Sequence, residues 1–136
     1  MKNRMIITTN DYQRLMNLME SAPSKTRLPE FAAHLYKELA KAEMVPQERI
    51  PRNVVTMNSR VFLKETSSNR EAELTITYPQ DADNLKRKVS VFSRVGAALI
   101  GKQVGDITSW DTPKGNKRFE ILMVTYQPEA VGDYSL

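Results

Sequence analysis

The spacing of the apolar residues changes once along this chain of 136 residues, close to residue 50. Before that point, apolar residues recur every three or four positions, which is the period of an α-helix that buries one side. Beyond it, apolar and polar residues alternate, as they do in β-strands that bury one face. The chain is therefore expected to adopt an α+β fold, with helices at the N-terminus and an antiparallel sheet after them.

Two amphipathic helices are predicted in the first half, joined by the polar loop "SAPSKTR". The apolar stripe of the first helix consists of Tyr12, Leu15, Met16 and Met19. The stripe of the second consists of Leu28, Phe31, Leu35, Leu39 and Ala42. Thr8 or Thr9 suits the N-cap of the first helix, and Pro29 suits the first turn of the second. Two such helices and a short loop predict an antiparallel hairpin about 20 Å long.

Five stretches of the second half have the composition and alternation of strands, and turn residues separate them. They are "NVVTMNSRVFLKET", "EAELTITYP", "KVSVFS", "DITSWD" and "KRFEILMVTYQ". A short helix that buries Val95, Ala98 and Leu99 is expected between the third and fourth of these strands. The two prolines of "MVPQERIPRN" end the helical region. We therefore divide the chain into a hairpin of residues 1–48 and a five- or six-stranded antiparallel sheet domain of residues 49–136.

The stretch "GAALIGKQ" (96–103) has the glycine spacing of a phosphate-binding P-loop. A P-loop needs Ser or Thr after its lysine to ligate Mg²⁺, and this chain has Gln103 there. The residues between the glycines are apolar and favour burial, whereas a P-loop turns its backbone amides toward phosphates. The stretch is instead expected to form a short helix that Gly101 ends, followed by a turn into the next strand.

The residue types that carry catalysis are few and scattered. There is no cysteine, and the single histidine, His34, has no partner at a suggestive spacing. Asp81 and Asp83 fit turn positions better than a carboxylate pair, and the basic run Lys86–Lys88 fits the entrance of an edge strand. No set of nucleophile, base and orienting residue can be assembled, and no metal or cofactor site is expected. The sequence thus favours a protein that is not an enzyme.

The net charge of +4 is concentrated in the first half of the chain. Residues 1–70 hold twelve Lys or Arg against seven Asp or Glu, a net +5, whereas residues 71–136 hold eight against nine. Such an excess suits a nucleic acid or an acidic protein, although an ordinary solvated surface explains it too. No apolar run approaches the about 20 residues of a membrane span, and no signal-peptide core is found. A cytoplasmic protein without membrane contact is expected, and its oligomeric state is left open.

Four blocks of the sequence resemble one protein family. They are "VVTMNSRVFLK" (54–64), "TYPQDAD" (77–83), "VSVFSRVGAALIGKQVGD" (89–106) and "ILMVTYQPEAVGDYSL" (121–136). Together they resemble the Rnk proteins, the regulators of nucleoside diphosphate kinase, which form a branch of the GreA/GreB transcription elongation factor family. The resemblance implies an N-terminal antiparallel coiled coil and a C-terminal domain of FKBP-like fold. It also implies that the C-terminal domain docks on RNA polymerase near the secondary channel.

The chain departs from GreA and GreB at the tip of the hairpin. Family members that stimulate transcript cleavage carry acidic tip residues, which help to hold Mg²⁺. The tip expected here is basic, with Lys25 and Arg27 at its centre, and only Glu20 and Glu30 flank it. A close pair of carboxylates for a metal is missing, and the arm is short. We therefore expect regulation of RNA polymerase without stimulation of transcript cleavage.

The docking segment departs from the family as well. Family members usually read Ser-Pro before the short helix, and this chain reads Ser93-Arg94. Arginine loses the fixed φ of proline and offers a charged fork to an acidic or carbonyl-rich surface. The resemblance implies an RNA polymerase-binding patch at the positions that match the docking segment of the family. These positions are Ser93, Arg94, Val95, Gly96 and Ala97. The same positions could equally serve folding alone, because small buried residues commonly reflect packing.

Two other functions remain open at this point. An FKBP-like fold suggests a peptidyl-prolyl isomerase-like activity as one alternative. That activity needs a concave aromatic pocket, whereas the ten aromatic residues of this chain lie mostly at spacings typical of a core. The basic first half suggests a nucleic-acid-binding module as the other alternative, and its affinity for nucleic acid would fall steeply with salt. Direct nucleic-acid contact is expected to be weak at this modest charge.

Overall fold

The computed structural model describes residues 5–20 and 30–133, and within these ranges the α+β architecture is confirmed. Its helices and strands follow one another in the order β1 (Ile6–Thr8), α1 (Thr9–Glu20), α2 (Glu30–Ala40), β2 (Glu43–Val45), β3 (Arg60–Glu65), β4 (Glu71–Thr77), β5 (Lys88–Ser90), α3 (Arg94–Leu99), β6 (Ile107–Thr112) and β7 (Gly115–Tyr126). The expected hairpin tip, with Lys25 and Arg27, lies outside the described residues. Within the described ranges, every helix is too short or too polar to cross a membrane.

Five of the strands form one sheet in the order β5-β4-β3-β7-β6. All five predicted strands are present, and the pairs β3–β4, β3–β7 and β6–β7 are antiparallel as expected. The prediction of a wholly antiparallel sheet is wrong at one edge, where β5 pairs with β4 in parallel. The reason lies in the connection between these strands. Two 3₁₀ turns, Pro79–Asp81 and Asn84–Lys86, reverse the chain twice, so that it re-enters the sheet in its original direction.

A second sheet of two strands joins the beginning and the end of the helical region. Its strands β1 and β2 are parallel, and Ile6 stands opposite Glu43. The sequence predicted that the second helix continues through Ala42, but α2 ends at Ala40 and the chain turns into β2. The amide of Glu43 donates a hydrogen bond to the carbonyl of Met5 at 2.8 Å. Pairing with β1 therefore replaces the expected last turn of the helix.

The first helix begins at the residue that its sequence predicts. The hydroxyl of Thr8 accepts a hydrogen bond from the amide of Asp11 at 3.0 Å, so Thr8 rather than Thr9 is the N-cap. The predicted apolar stripe packs against the core, where each member is buried or partly buried: Tyr12, Leu15, Met16 and Met19. In α2, Leu35 and Leu39 are buried in the same core.

One hydrophobic cluster fills the space between the helices and the sheet. Leu15 of α1, Leu39 of α2, Val61 of β3 and Ile121 of β7 belong to it, and each is 2% exposed or less. The helices therefore rest on the sheet through a shared core. The division of the chain into two domains at residue 48 stays a prediction, and the core is continuous across it.

The segment 53–59, expected to begin the first long strand, is irregular, and β3 starts only at Arg60. Its backbone bonds to the loop after α3 and, at Asn58 and Ser59, to Ile76 of β4. The amide of Val55 donates to the carbonyl of Lys102, and the amide of Gly101 donates to the carbonyl of Val55, both at 2.8 Å. Val55 and Met57 are buried in the shared core, and Val54, Thr56 and Ser59 are buried as well, so this segment does not bury one face alone as a surface strand would.

Candidate functional site

The docking segment predicted from the sequence lies at the N-terminus of α3. Ser93 is the N-cap of this helix, because its hydroxyl oxygen accepts a hydrogen bond from the amide of Gly96 at 3.1 Å. The same hydroxyl donates to the carbonyl of Ser90 at 2.6 Å, which ties the helix to the end of β5. Hydrogen bonds of a serine thus fix the helix start, and Arg94 occupies the first helical position.

Replacing Ser93 with alanine removes both of these hydrogen bonds. We expect the free energy of unfolding to fall by about 1–2 kcal/mol, which is the usual cost of a lost N-cap. Urea denaturation measures this change. Ser93→Thr keeps the hydroxyl and serves as the control, since it should retain most of the stability. An alanine variant as stable as the wild type would mean that the cap contributes nothing to the fold.

Two glycines give this segment its resemblance to a P-loop, and packing explains both of them. Gly96 lies so close to the end of β5 that a Cβ atom on it would stand 2.1 Å from the carbonyl oxygen of Ser90. Gly101 follows the end of α3 with a φ of +79°, the left-handed conformation that commonly ends helices. Its carbonyl accepts a hydrogen bond from the amide of Ile6 at 3.1 Å. The prediction of a short apolar helix with a glycine stop is confirmed.

Arg94 lines a groove of about 560 Å³ formed by α2, α3, β6 and the loop after α3. His34 and Glu38 of α2 contribute to its wall, as do Trp110 and Asp111 of β6. We call this cleft, defined by these five residues, the α3 groove. It is an open cleft in which charged side chains surround an indole ring.

Charges of both signs are distributed through the α3 groove. The carboxylate of Glu38 lies 3.6 Å from the ammonium of Lys102 and 3.3 Å from Nε2 of His34. Arg94 is exposed to solvent in the same cleft. Arginine and tryptophan are the residue types most enriched in the energetically important centres of protein–protein interfaces. The composition of the groove therefore suits a protein segment better than a small charged metabolite.

The indole of Trp110 is held in a fixed orientation. Its ring lies parallel to the ring of Phe119, with 4.1 Å between the centroids and 3° between the planes. Thr108, two residues earlier in β6, donates its hydroxyl to the carbonyl of Ala98 at 3.1 Å, which fastens β6 to α3. The walls of the α3 groove are therefore formed before any partner binds.

The five residues predicted as the polymerase-binding patch lie together but are not equally accessible. Arg94 is exposed, whereas Gly96 and Ala97 are buried and Val95 packs against the core. Gly96 and Ala97 thus have a packing role, and Arg94 is the member of the patch best placed to touch a partner. Sequence reasoning missed the rest of the groove, because its other walls come from distant parts of the chain.

A buried polar cluster, not predicted from the sequence, joins α1 to the segment before β3. Asp11 is 3% exposed, and its Oδ2 accepts a hydrogen bond from the amide of Met57 at 3.1 Å. Glu129, in the 3₁₀ turn after β7, accepts a hydrogen bond from the hydroxyl of Thr56 at 2.8 Å. The hydroxyls of Thr56 and Ser59 are also bonded, at 2.8 Å. Three distant segments of the chain therefore meet in one polar cluster.

The carboxyl group of Asp11 is strongly affected by this environment. Burial raises the pKa of Asp11 from its ordinary value of 3.8 to about 7, and the negative charge of Glu129 adds to the rise. The hydrogen bond from Met57 and the positive charge of Arg14 act in the opposite direction. Burial, followed by the charge of Asp11, raises the pKa of the Tyr78 hydroxyl to about 12.

The remaining candidates from the sequence have structural roles. The side chain of Asp83 accepts a hydrogen bond from the amide of Leu85 at 3.0 Å and Asp81 ends a 3₁₀ turn, so both are turn residues as predicted. Lys88 begins the edge strand β5, as the basic run indicated. The side chain of His34 is 72% exposed. Across residues 5–20 and 30–133, no group of three or more His, Cys, Asp or Glu side chains is placed to hold a metal ion.

The chain matches two protein-family models along most of its length. Residues 50–126 match the C-terminal domain of the transcription elongation factors GreA/GreB, and residues 3–45 match the Rnk N-terminus. The chain is 41% identical over 132 residues to the regulator of nucleoside diphosphate kinase from Escherichia coli (strain K12), and the match covers 96% of each chain. It is 38% identical over 88 residues to transcription elongation factor GreA from Clostridium botulinum (strain Alaska E43 / Type E3), covering 65% of this chain and 55% of that relative.

Solved structures are similar as well. A GreA/GreB transcription elongation factor from Nitrosomonas europaea superposes with a TM-score of 0.78 at 40% sequence identity, covering 92% of this chain and 100% of the other. GreA factor homolog 1 (Gfh1) of Thermus thermophilus superposes with a TM-score of 0.51 at 23% identity, over 90% of this chain and 99% of the other. The second likeness concerns the fold alone.

Proposed function

Because the chain belongs to the GreA/GreB family, in its Rnk branch, we propose that it is a transcription regulator that binds RNA polymerase. The sheet domain of residues 49–136, whose FKBP-like fold the family resemblance implies, docks near the secondary channel of the polymerase. The hairpin of residues 1–48, expected as a short coiled coil, then faces the channel entrance. The protein acts in the cytoplasm by binding and not by catalysis.

The position of Arg94 carries this proposal. The residue is exposed at the first position of α3, and it lines the α3 groove together with Trp110. A guanidinium that lines the same groove as a rigid indole can hold a carboxylate or a row of carbonyl groups on the partner by charge-assisted hydrogen bonds. Ser93 and Gly96 contribute indirectly, since they fix the start of α3 and its distance from β5.

We further propose that the regulator does not stimulate transcript cleavage. Cleavage stimulation in the family depends on acidic residues at the hairpin tip, and the segment expected from the sequence to form the tip carries Lys25 and Arg27. The helix α1 has 12 residues, which corresponds to a length of about 18 Å. A short, basic arm suits competition for the docking surface better than delivery of a metal ion to the polymerase active site.

A prolyl-isomerase activity is less well supported by the α3 groove. Such an activity needs a concave pocket with several aromatic walls. Trp110 is the one aromatic residue among the described residues that line the groove, and one face of its ring is covered by Phe119. The arrangement therefore favours a binding surface over a catalytic pocket.

The substitution Arg94→Glu tests the docking surface. Reversing the charge in the α3 groove is expected to weaken binding to core RNA polymerase by about tenfold or more, because like charges then face each other. Pull-down or surface-based titration with purified core polymerase measures the change. Lys114→Glu is the matched control, since it changes the net charge equally at an exposed turn outside the lining of the groove.

The outcomes of this experiment separate the two parts of the proposal. If the wild type binds and Arg94→Glu binds equally well, the polymerase is bound but the α3 groove is the wrong surface. If both glutamate variants lose the same affinity, net charge and not the groove is responsible. If the wild type fails to bind core polymerase, the proposed function itself is wrong.

A further inference from the structure

The face of the sheet turned away from the core carries a row of four polar residues on four adjacent strands. Tyr126 of β7 pairs with Arg60 of β3, Arg60 pairs with Thr75 of β4, and Thr75 pairs with Lys88 of β5. Directly paired residues point to the same face of a sheet, so the four side chains stand side by side. With strands about 4.8 Å apart, the row is about 14 Å long.

Three further residues complete a groove of about 370 Å³ along this row. They are Asn58, just before β3, Thr77, at the end of β4, and Asp81, at the end of a 3₁₀ turn. We call the cleft lined by the row and these three residues the sheet-face groove. The hydroxyl of Thr77 already donates to the carbonyl of Val89, but the amide of Asn58, the hydroxyl of Thr75 and the two cationic groups can donate hydrogen bonds, which phosphate oxygens accept.

The cations of the sheet-face groove are not neutralised by direct ion pairs. Within the described part of the chain, neither Arg60 nor Lys88 forms one. The guanidinium of Arg60 instead lies 5.8 Å from the centroid of the Tyr126 ring. One carboxylate, Asp81, also lines the groove, so two cations and one anion leave a net charge of +1. Glu73, opposite Phe62 on the next row, accepts a hydrogen bond from the hydroxyl of Thr125 and keeps its negative charge, so the positive charge is confined to the row of Arg60 and Lys88.

Apolar and aromatic side chains lie beside these cations on the same face. Phe62 follows Arg60 by two residues in β3, and it pairs with Met123 of β7, which is 53% exposed. Phe62 and Tyr126 are both partly exposed. The face therefore combines rings, on which planar bases can stack, with cations that attract phosphates.

We propose that the sheet-face groove binds single-stranded nucleic acid. Arg60 and Lys88 contact the phosphates, and Tyr126 and Phe62 contact the bases. Unneutralised cations and accessible rings on an open sheet are what a single strand needs, whereas a duplex keeps its bases stacked on one another. The sheet-face groove shares no lining residue with the α3 groove, so this inference does not depend on polymerase docking.

Fluorescence anisotropy with a labelled single-stranded RNA of about 15 nucleotides tests the proposal on the full chain. For the wild type we expect an affinity that falls steeply with salt. The double variant Arg60→Gln/Lys88→Gln should bind about tenfold more weakly at low salt, and the slope of log K against log salt should shrink by about 1.4, since each phosphate contact contributes about 0.7. Lys37→Gln/Lys114→Gln removes the same charge from two exposed positions elsewhere and should change neither quantity much.

A second variant separates stacking from charge. Tyr126→Leu keeps an apolar side chain but removes the ring, so it should weaken binding several-fold while leaving the salt slope unchanged. Amide chemical-shift changes on adding the RNA should concentrate on β3, β4 and the end of β7, which provides a readout on the unmodified protein. The proposal is overturned if the wild type does not bind at low salt or if both double variants lose equal affinity. Equally tight binding of a duplex or of poly-glutamate would overturn it too.

Discussion

The variant Gly96→Ala is expected to lose at least about 3 kcal/mol of unfolding free energy. The added Cβ would lie 2.1 Å from the carbonyl oxygen of Ser90 and 2.8 Å from the Cα of Val91. Both are backbone atoms, so no side chain can rotate away to make room. The conflict can be relieved only if α3 moves away from β5, which breaks the hydrogen bonds of Ser93 to Ser90 and disturbs the core around Leu99.

Urea and thermal denaturation measure this loss, and Ala98→Gly is the matched control in the same helix. The control replaces alanine with glycine in the same helix. Its loss of unfolding free energy should stay near 1 kcal/mol, which is the ordinary difference in helix propensity between the two residues. Because α3 presents Arg94, any Gly96→Ala protein that still folds should also bind core polymerase more weakly. A Gly96→Ala protein as stable as the control would refute the close approach of α3 to β5.

The second large effect concerns the dependence of stability on pH. Asp11 has a pKa of about 7 in the folded protein and 3.8 as its ordinary value, so the folded state holds its proton more tightly than the unfolded chain. Between about pH 4 and pH 7 the folded state therefore carries the extra proton. The free energy of unfolding falls as pH rises through that window, and the stabilisation by neutral Asp11 is lost above the folded pKa. From pH 5 to pH 8 this single group should remove about 2–3 kcal/mol.

The variant Asp11→Asn should abolish this loss. Asparagine resembles the neutral acid, and its oxygen can still accept the hydrogen bond that the amide of Met57 donates. Its unfolding free energy should change less between pH 5 and pH 8, so that the variant is more stable than the wild type at pH 8. Chemical denaturation of both proteins at a series of pH values gives the difference, and other titrating groups cancel in it.

Two companion variants identify the cause of the pH dependence. Asp11→Ala leaves the amide of Met57 without its acceptor and should be destabilised at every pH by about 1–3 kcal/mol. Glu129→Gln removes a negative charge that raises the pKa of Asp11. In this variant, the pH at which stability falls should be lower than in the wild type. Parallel stability curves for the wild type and Asp11→Asn would show that Asp11 does not titrate in this window.

The helices, the five strands of the large sheet and the N-cap at Thr8 could be predicted because each depends on local periodicity and capping chemistry. The pairing of strands could not. The parallel partner of β5 is decided by the two 3₁₀ turns of residues 79–86, and β2 forms only because β1 lies beside it. The alternation of residues 53–59 does not mark a strand with one buried face, because residues 54–57 are all buried in an irregular segment.

The candidate sites follow the same division between local and distant information. Residues 93–101 were interpretable alone, because a cap, a close-packed glycine and a left-handed glycine act within one short segment. The α3 groove could not be predicted from one segment, since its walls also come from residues 34–38 and 108–111. For the buried cluster, a signal was present: Asp11 precedes Leu15 and Met19 by one and two turns, on the buried side of α1. A carboxylate on an apolar stripe should have indicated a buried partner.

The parallel pairing of β1 with β2 has a consequence for how this architecture can diversify. The polypeptide enters and leaves the helical region through two neighbouring strands, which lie about 4.8 Å apart. The length of a helical arm attached in this way can change independently of the sheet. Whole turns can be added to or removed from its two helices in equal number while the roots and the sheet stay unchanged. The length of the arm and its attachment to the sheet are then separate properties. Selection can change the length of the arm without changing how the arm is attached.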